Sequence, residues 1–266
     1  MTDPYLVDKP LGATPLETLA LVRVAHPELA DSKLSYAGRL DPMATGLLVV
    51  LHGRLLLRQE RFWGLPKSYE ALVMLGMVTD SYDLLGIPTP VISHDGVPTP
   101  ERMLATIARM VGKRQLPVPP FSSHQVEGRP LFAWAREGQM QDVDIPIRPM
   151  GVNEISVHHI GTTTGEELHT RVHARIPMVR GDFRQPEILS AWDEVLTGRH
   201  ADDFPVIRMT FHCTAGTYIR SLAHALGRSL GTGGTLIDLR RIRVGPWSVD
   251  DPHVIHPGQL REEPVV

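Results

Sequence analysis

The sequence predicts an α+β fold for this chain of 266 residues. Apolar runs of strand length occur in both halves, as at residues 46–51. Helical periodicity appears between them, most clearly at 218–230, where apolar residues recur on one face. Because strands and helices do not follow a regular β-α-β rhythm, the pattern favours α+β with a mixed sheet over a parallel α/β fold.

The first half of the chain opens with a helix signal. Thr14 can cap a helix, Pro15 suits its first turn and Glu17 completes a capping box. The remaining elements are predicted as a strand at 46–51, a helix at 55–62, a strand at 69–75, a polar turn at 79–83 and a capped helix from 99 to 112.

The second half has clear elements at its end and weaker ones before. Prolines and polar residues at 116–130 predict an extended, mobile loop. The elements that follow are predicted as a short helix at 131–137, strands at 152–158, 168–176 and 206–213, a helix at 218–230 and a strand at 239–243, with only a weak pattern at 177–204.

Bulk properties narrow the class of protein. No apolar run approaches the roughly 20 residues needed to span a bilayer, and the N-terminus lacks the features of a signal peptide. The single cysteine, Cys213, predicts a reducing, cytoplasmic location without an internal disulfide. The net charge of −3 argues mildly against a nucleic-acid partner, although phosphate binding needs only a local basic patch.

His169 and His173 have a spacing that binds metal on a helix. The segment around them alternates between polar and apolar residues, which predicts a strand. On a strand, residues four apart are separated by about 13 Å, too far to share one ion. The sequence therefore predicts no metal site.

Asp41 is the most informative residue of the chain. It lies between a glycine-containing turn and the apolar run that ends at Val50, and Pro42 restricts its backbone. A carboxylate beside a buried strand is costly unless a cation pairs with it. From these residues alone, Asp41 is either an ordinary turn aspartate or a group that performs chemistry.

Two arginines could bind such a carboxylate or the phosphates of its substrate. Arg220 is adjacent to Ile219 on the buried face of the predicted helix, so it needs an anionic partner, and Asp41 is the proposed one. Such a pair would keep Asp41 ionised. In the strand at 239–243, Arg241 lies either on a phosphate-contacting edge or on a solvated charged strand.

Several motifs, taken in order, resemble the tRNA pseudouridine-55 synthase family of the TruB type. The set is specific because the order is kept, while each motif alone is weak or moderate. The matching segments are 7–14, 38–48, 67–69, 75–86, 119–123, 128–129, 135–136, 138, 216–222 and 239–241. They cover most of the chain except about 161–205, which looks like an insertion.

The resemblance implies a pseudouridine synthase fold, with a central mixed, mostly antiparallel sheet flanked by helices. It implies one catalytic domain over residues 1–266, without a C-terminal PUA domain. The implied activity is isomerisation of uridine to pseudouridine at position 55 in the T-loop of tRNA, with no cofactor. The implied partner is the tRNA T-arm, with neither a membrane nor an obligate protein partner.

The resemblance also assigns roles to residues. Asp41 matches the nucleophile, Tyr69 the aromatic residue that stacks on the flipped uracil, and Arg220 the arginine that pairs with the carboxylate. Leu239 matches an apolar pocket residue. The further predicted substrate contacts are Tyr36, Arg39, Arg136 and Arg241.

Two departures from the family pattern leave alternatives open. Tyr36 stands where the family usually has a histidine, and Arg39 replaces a small residue. The alternatives are the same chemistry on another RNA and a non-catalytic protein that binds and remodels tRNA. Intact Asp41, Tyr69 and Arg220 favour an enzyme.

Overall fold

The computed structural model describes residues 3–259, which form one large sheet with helices packed against it. The strands are β1 Tyr5–Lys9, β2 Leu34–Tyr36, β3 Ala44–His52, β4 Lys67–Leu75, β5 Met77–Thr79, β6 Pro88–Pro90, β7 Gly112–Pro117, β8 Gln125–Val126, β9 Arg129–Pro130, β10 Ile147–Thr164, β11 Asp203–Cys213, β12 Gly234–Val244, β13 Trp247–Ser248 and β14 Val254–Ile255. The α-helices are α1 Pro15–Ala25, α2 Gln59–Trp63, α3 Pro100–Ala108, α4 Leu131–Arg136, α5 Gly165–Arg175, α6 Gln185–Leu196 and α7 Ile219–Leu230.

The main sheet has ten strands and runs in the order β14-β1-β3-β12-β4-β11-β10-β7, with β13 paired to β12 and β2 paired to β3. The β1–β14 and β3–β12 pairs are parallel, and the other pairs in this sheet are antiparallel. The predicted α+β class, with its mixed and mostly antiparallel sheet, is therefore confirmed.

Local signals in the sequence fix several helix ends. Thr14 and Glu17 form both hydrogen bonds of a capping box at the start of α1, and Thr99 caps α3. Gly231 ends α7 in the left-handed conformation, with φ 74°, where a glycine has no steric penalty. These ends agree with the sequence predictions.

The predicted strand at 168–176 was wrong, because this segment belongs to helix α5. Thr164 and Glu167 form a second capping box that starts the helix. Leu168 and Val172 are one helical turn apart and both are fully buried. Their spacing of four satisfies a helix as well as a strand, so alternation alone could not separate the two.

The weak pattern at 177–204 contains helix α6, which packs against α5. The buried side chains between and below the two helices are Leu168, Val172, Ile188, Trp192 and Leu196. This helical pair lies in the chain between β10 and β11, which are neighbouring antiparallel strands.

Three other predicted elements differ in detail. The helix predicted to stop at Gly112 ends at Ala108, and Gly112 begins β7. The helix at 55–62 is a 3-10 helix, Gly53–Arg58, followed by the short α2. The loop at 116–130 begins in β7 and contains the small β8–β9 hairpin. None of the helices in residues 3–259 has the length and apolar composition needed to cross a bilayer. The ends of the predicted domain, residues 1–2 and 260–266, lie outside the described residues.

Candidate active site

Asp41 lies in the turn that joins β2 to β3. Gly38 opens this turn with φ 95°, a left-handed conformation that favours glycine. The carbonyl of Asp41 accepts a hydrogen bond of 3.0 Å from the backbone N–H of Ala44, the first residue of β3. The carboxylate is thus carried by a rigid turn at the start of a buried strand.

Arg220, the second residue of α7, meets the Asp41 carboxylate. Its Nε lies 2.8 Å from Asp41 Oδ2, and its Nη2 donates to Asp41 Oδ1 at 3.0 Å. The Arg220 side chain is only 4% exposed, whereas that of Asp41 is 32% exposed. Nη1 and Nη2 also donate to the carbonyls of Ser81 and Phe121, at 2.9 and 3.2 Å. The guanidinium is therefore fixed from behind, while the carboxylate is open to solvent.

Asp83 is a second carboxylate beside the same guanidinium. Its Oδ2 lies 3.6 Å from Arg220 Nε, and its Oδ1 accepts from Ser81 Oγ at 2.7 Å and from the Leu85 N–H at 3.0 Å. Arg220 Nε thus lies near both carboxylates, those of Asp41 and Asp83. Within the described chain it has no well-aligned hydrogen bond to either. Burial raises the pKa of Asp83 to about 6, with Arg220 opposing that rise.

The charges around Arg220 also act on the cation. Burial by itself would lower the pKa of Arg220, but Asp41 and then Asp83 outweigh it and raise the pKa. The guanidinium therefore stays positively charged although it is almost completely enclosed.

Lys9 is a further enclosed cation near Asp41. Its side chain is fully buried, and Nζ donates to the carbonyls of Pro10 at 2.9 Å and Ala13 at 2.7 Å. Burial lowers the pKa of Lys9 to about 7, and the charge of Asp41 acts in the opposite direction.

Tyr69 lies on the central strand β4, directly opposite Arg241 on β12. Its side chain is buried, and burial raises the pKa of its hydroxyl, while the positive charge of Arg241 opposes that rise. The tyrosine is thus held within the sheet beside a guanidinium.

Arg241 has a different position from the one predicted. Its side chain is fully buried, with Nε donating to the carbonyl of Leu47 at 2.7 Å and the terminal nitrogens donating to those of Gly38 and Arg39 at 3.2–3.3 Å. Arg241 therefore clamps the turn that carries Asp41, and its predicted contact with substrate stays a prediction.

Leu239 provides the apolar wall beside Asp41. It pairs with Ala44 across the parallel β12–β3 contact, and both residues line a cavity of about 10 Å³ with Asp41 and Asp83. A cavity of this volume holds about one water molecule.

The other predicted substrate residues are spread around the site. Arg39 is exposed on the same turn as Asp41. Arg136 ends α4, with its guanidinium 5.7 Å from the Phe183 ring centre and 3.8 Å from Asp182. Tyr36 is half-buried on β2, where it packs against the apolar cluster formed by β1, α1 and β3. That packing leaves only part of its ring available to a base.

The loop before α6 forms a further wall. The guanidinium of Arg184 lies 4.2 Å from the ring centre of Phe121 and donates to Asp80 Oδ2 at 2.9 Å. Phe121 is also the residue whose carbonyl accepts from Arg220. The segment around α6, which carried only a weak sequence pattern, is thus in direct contact with residues that hold the Asp41–Arg220 pair.

Gly12 connects the same region to the turn of Asp41. Its N–H donates to the carbonyl of Pro42 at 2.9 Å, and its carbonyl accepts from the N–H of Arg180 at 3.2 Å. Its φ of 83° is left-handed, and a Cβ there would lie 1.9 Å from the carbonyl oxygen of Met178. A glycine is therefore required for this close approach.

From the sequence, Asp41 was predicted to pair with Arg220. No role at the site was predicted for Asp83 or Arg184. The polar turn at 79–83 between two apolar segments was the available signal for Asp83. The one cluster of metal-capable ligands within residues 3–259 is His169, His173 and Asp193, on α5 and α6. The wrong strand prediction had removed that cluster from consideration.

Comparisons with known proteins agree with this arrangement. The family model for the N-terminal domain of TruB family pseudouridylate synthases matches residues 27–176. The tRNA pseudouridine synthase B of Chlamydia pneumoniae is 32% identical over 247 residues, which cover 92% of this chain and 84% of that protein. That of Chlamydia muridarum is 32% identical over 258 residues, covering 95% and 86%.

Solved structures show the same fold. A chain of the archaeal box H/ACA sRNP Nop10-Cbf5 complex aligns with a TM-score of 0.55 and 20% identity, covering 96% of this chain and 51% of that one. A chain of an H/ACA RNP bound to a substrate RNA aligns with a TM-score of 0.57 and 20% identity, covering 96% and 50%. The family model spans more than half of the chain and the sequence relatives exceed 30% identity over most of it. This chain therefore belongs to the TruB family of pseudouridylate synthases.

Proposed function

We propose that this protein isomerises uridine to pseudouridine in tRNA, at position 55 of the T-loop. The observation that carries the proposal is the Asp41 carboxylate, which faces solvent while Arg220 grips it from a buried position. The curated relatives that match the chain are named tRNA pseudouridine synthase B. Membership of the family supports the isomerisation reaction, and the geometry supports Asp41 as the group that begins it.

The reaction breaks the bond from N1 of uracil to C1′ of the ribose and forms a bond from C5 to C1′. N1 gains a proton and C5 loses one, so substrate and product have the same composition, and no oxidant or group donor is consumed. Asp41 acts as the nucleophile on either the ribose or the base. A carboxylate suits the ribose route because the sugar develops oxocarbenium-like charge.

Arg220 holds Asp41 in one orientation by a forked contact, made of a hydrogen bond from Nη2 and an ion contact from Nε. Tyr69 stacks on the displaced uracil and assists removal of the C5 proton. Leu239 closes the pocket with apolar surface. Asp83 is a positioning residue, because it contacts Arg220 rather than the reacting atoms.

The target uridine must leave its stack to reach Asp41, and this costs least in a loop. Arg39 and Arg136, whose side chains are exposed, contact phosphates beside the displaced nucleotide in this proposal, and Tyr36 contributes part of its ring. The side chain of Asp41 is partly exposed, so a displaced nucleotide can approach it from solvent.

We also propose that the chain is one catalytic domain with an insertion at about 161–205. The support is topological. Strands β10 and β11 pair antiparallel as far as Thr164 and Asp203, where a short turn could join them. The α5–α6 pair occupies that point instead.

A single assay tests the activity. Transcripts of a tRNA T-arm labelled with tritium at uridine C5 release the label when C5 becomes bonded to the ribose. We expect release with the native protein alone, none with Asp41→Asn at preserved folding, and none above background when cytidine replaces the uridine at position 55. Release that survives Asp41→Asn would overturn the assigned chemistry.

The same assay separates the alternatives. Release from another RNA but not from the T-arm would show the same chemistry on a different substrate, which the Arg39 departure makes worth testing. Tight T-arm binding without any release would instead show a binding or remodelling protein. A requirement for an added protein would contradict the expectation that the chain acts alone.

A further inference from the structure

The α5–α6 pair carries three metal-capable side chains that have no part in the proposed reaction. His169 and His173 lie on α5, and Asp193 lies on α6. His169 Nε2 is 3.1 Å and His173 Nε2 is 2.7 Å from the same oxygen, Asp193 Oδ1. One potential ligand atom from each residue falls within 4.8 Å of the others.

The fold holds these three groups together. Residues four apart on a helix are neighbours on one face, which places the two imidazole rings 4.3 Å apart between their centres. The buried packing of Val172 against the α6 face that carries Trp192 fixes the helices relative to each other. Asp193 is therefore presented to both histidines by the core beneath it.

We propose that His169, His173 and Asp193 bind a divalent transition-metal ion of the zinc class. Imidazole nitrogen and carboxylate oxygen are donors that zinc prefers, at distances of about 2.0–2.2 Å. The three side chains are 37%, 40% and 47% exposed, so an ion from solvent can reach them and small rotations can open space for it.

Binding replaces hydrogen bonds that the cluster otherwise makes. Each neutral histidine presents the Nε2 lone pair to the ion and carries its proton on Nδ1, while Asp193 binds as the carboxylate. Three protein ligands leave a fourth position for water or a further side chain. The ring of His200 lies 5.5 Å from that of His169, edge-on, and is not part of the cluster of three.

The ion would join α5 to α6 at the surface, above their shared core. A ligand that binds the folded state and not the unfolded state stabilises the fold in proportion to its occupancy. The site is thus structural, and the α5–α6 pair is the part of the molecule that it secures.

The test uses full-length protein without a polyhistidine tag, stripped of metal with a chelator and then exchanged into chelator-free buffer. Titration with Co²⁺ is expected to give a visible absorption band that saturates at one ion per chain and is lost when Zn²⁺ is added. Zn²⁺ is expected to raise the Tm of the native protein.

Variants assign the site. His173→Ala and Asp193→Asn are each expected to weaken Co²⁺ binding by at least about 10-fold and to remove the rise in Tm. His94→Ala, which alters an exposed histidine in another loop, is the matched control and is expected to bind like the native protein. Circular dichroism checks that each variant is folded. His173→Gln removes the imidazole with a smaller loss of side-chain volume than His173→Ala, and it serves as a second variant if His173→Ala is not folded.

Two outcomes would overturn the proposal. One is native protein that shows neither the absorption band nor a change in Tm; the three side chains then form only a hydrogen-bonded contact between helices. The other is equal binding by the native protein and His173→Ala, which would place the metal elsewhere. Tritium release from the T-arm is expected to be the same for His173→Ala and the native protein, so this result is independent of the proposed activity.

Discussion

The guanidinium of Arg220 meets the carboxylate of Asp41 through two nitrogen–oxygen contacts, 2.8 Å from Nε to Oδ2 and 3.0 Å from Nη2 to Oδ1. The exposure of the two side chains is unequal, since the cation is enclosed and the anion is not. An incoming nucleotide can therefore contact the oriented carboxylate of Asp41, while the guanidinium of Arg220 stays buried behind it.

Replacing Arg220 by lysine is expected to lower turnover by about 100-fold. Lysine keeps the charge but loses the fork, so Asp41 is no longer held in one orientation. Tritium release under single-turnover conditions measures the effect. Truncation to alanine is expected to reduce the free energy of unfolding as well, by about 3–5 kcal/mol in urea denaturation, since two carboxylates lose a buried partner.

The control for Arg220 is Arg102, which forms an exposed ion pair with Asp95 at 3.2 Å. Arg102→Lys is expected to change the free energy of unfolding by less than about 1 kcal/mol and to leave turnover unchanged. Equal turnover by Arg220→Lys and the native protein would show that the fork does not orient the carboxylate.

Asp83 is expected to make stability depend on pH. Its pKa is raised by burial from 3.8 to about 6 in the folded protein, so the native state binds its proton more tightly than the unfolded state. The stability contributed by this proton is complete below about pH 4 and is lost as the pH rises to about 6. Between these limits the loss amounts to about 3 kcal/mol at most.

Asp83→Asn isolates this effect, because asparagine has the same shape and does not titrate. The free energy of unfolding of the native protein, minus that of the variant, is expected to fall from about pH 4 to about pH 6 and then to level off. Urea denaturation across this range measures it. A difference that grows with pH would mean that Arg220 keeps Asp83 ionised at all these values.

Substitutions of Arg39 and Arg241 are expected to have opposite effects: the first weakens RNA binding, and the second lowers the stability of the fold. Arg39→Ala removes an exposed charge, so T-arm affinity should fall, the salt dependence of binding should decrease by about one phosphate contact, and stability should be unchanged. Arg241→Met leaves the carbonyls of Gly38 and Leu47 without their donor, so the free energy of unfolding should fall by at least about 2 kcal/mol.

Binding curves at several salt concentrations, with urea denaturation of both variants, measure these two effects. A change in the salt dependence with Arg241→Met at full stability would show that Arg241 contacts a phosphate. An unchanged salt dependence with Arg39→Ala would remove Arg39 from the RNA surface.

Gly12→Ala is expected to reduce both stability and turnover. The added methyl group meets the Met178 carbonyl oxygen and forces apart the backbone that holds Pro42 beside Asp41. Overpacking of this kind costs about 1–3 kcal/mol, in addition to about 1–2 kcal/mol for the left-handed backbone. Urea denaturation and tritium release report the two effects.

Gly96→Ala is the matched control. Gly96 has φ 74°, but a Cβ there would meet no atom of residues 3–259 within 4 Å. It is expected to lose only the backbone part of the stability and none of the turnover. Equal losses in the two variants would show that the contact with Met178 has no role in holding the turn.

The sequence predicted those elements whose signals are local. The capping box of Thr14 and Glu17 fixed the start of α1, and the spacing of Ile219, Leu222 and Leu226 fixed α7 and its buried face. The segment at 168–176 was mispredicted because its apolar residues recur at a spacing of four, which serves both a helix and a strand. The capping box at Thr164 carried the deciding information.

For the candidate site too, some features follow from local sequence and others depend on packing. Arg241 was correctly placed on a strand with Leu239, but the alternation of a strand cannot tell which face other elements cover. Neighbouring strands and the turn at Gly38 enclose that guanidinium, and this depends on packing. Asp83 likewise acquires its raised pKa from the elements that surround it.

By itself, the sequence determined the fold class, the order of the motifs and the kinds of chemical group that the site contains, because these follow from residue type and short spacing. The sequence could only propose that Asp41 pairs with Arg220, 179 residues away, and the tertiary structure decided that the two meet. It alone decided that Arg241 is enclosed and that two histidines converge on Asp193. Ion pairing and burial depend on distances between elements, and those distances are set by how the sheet and helices pack.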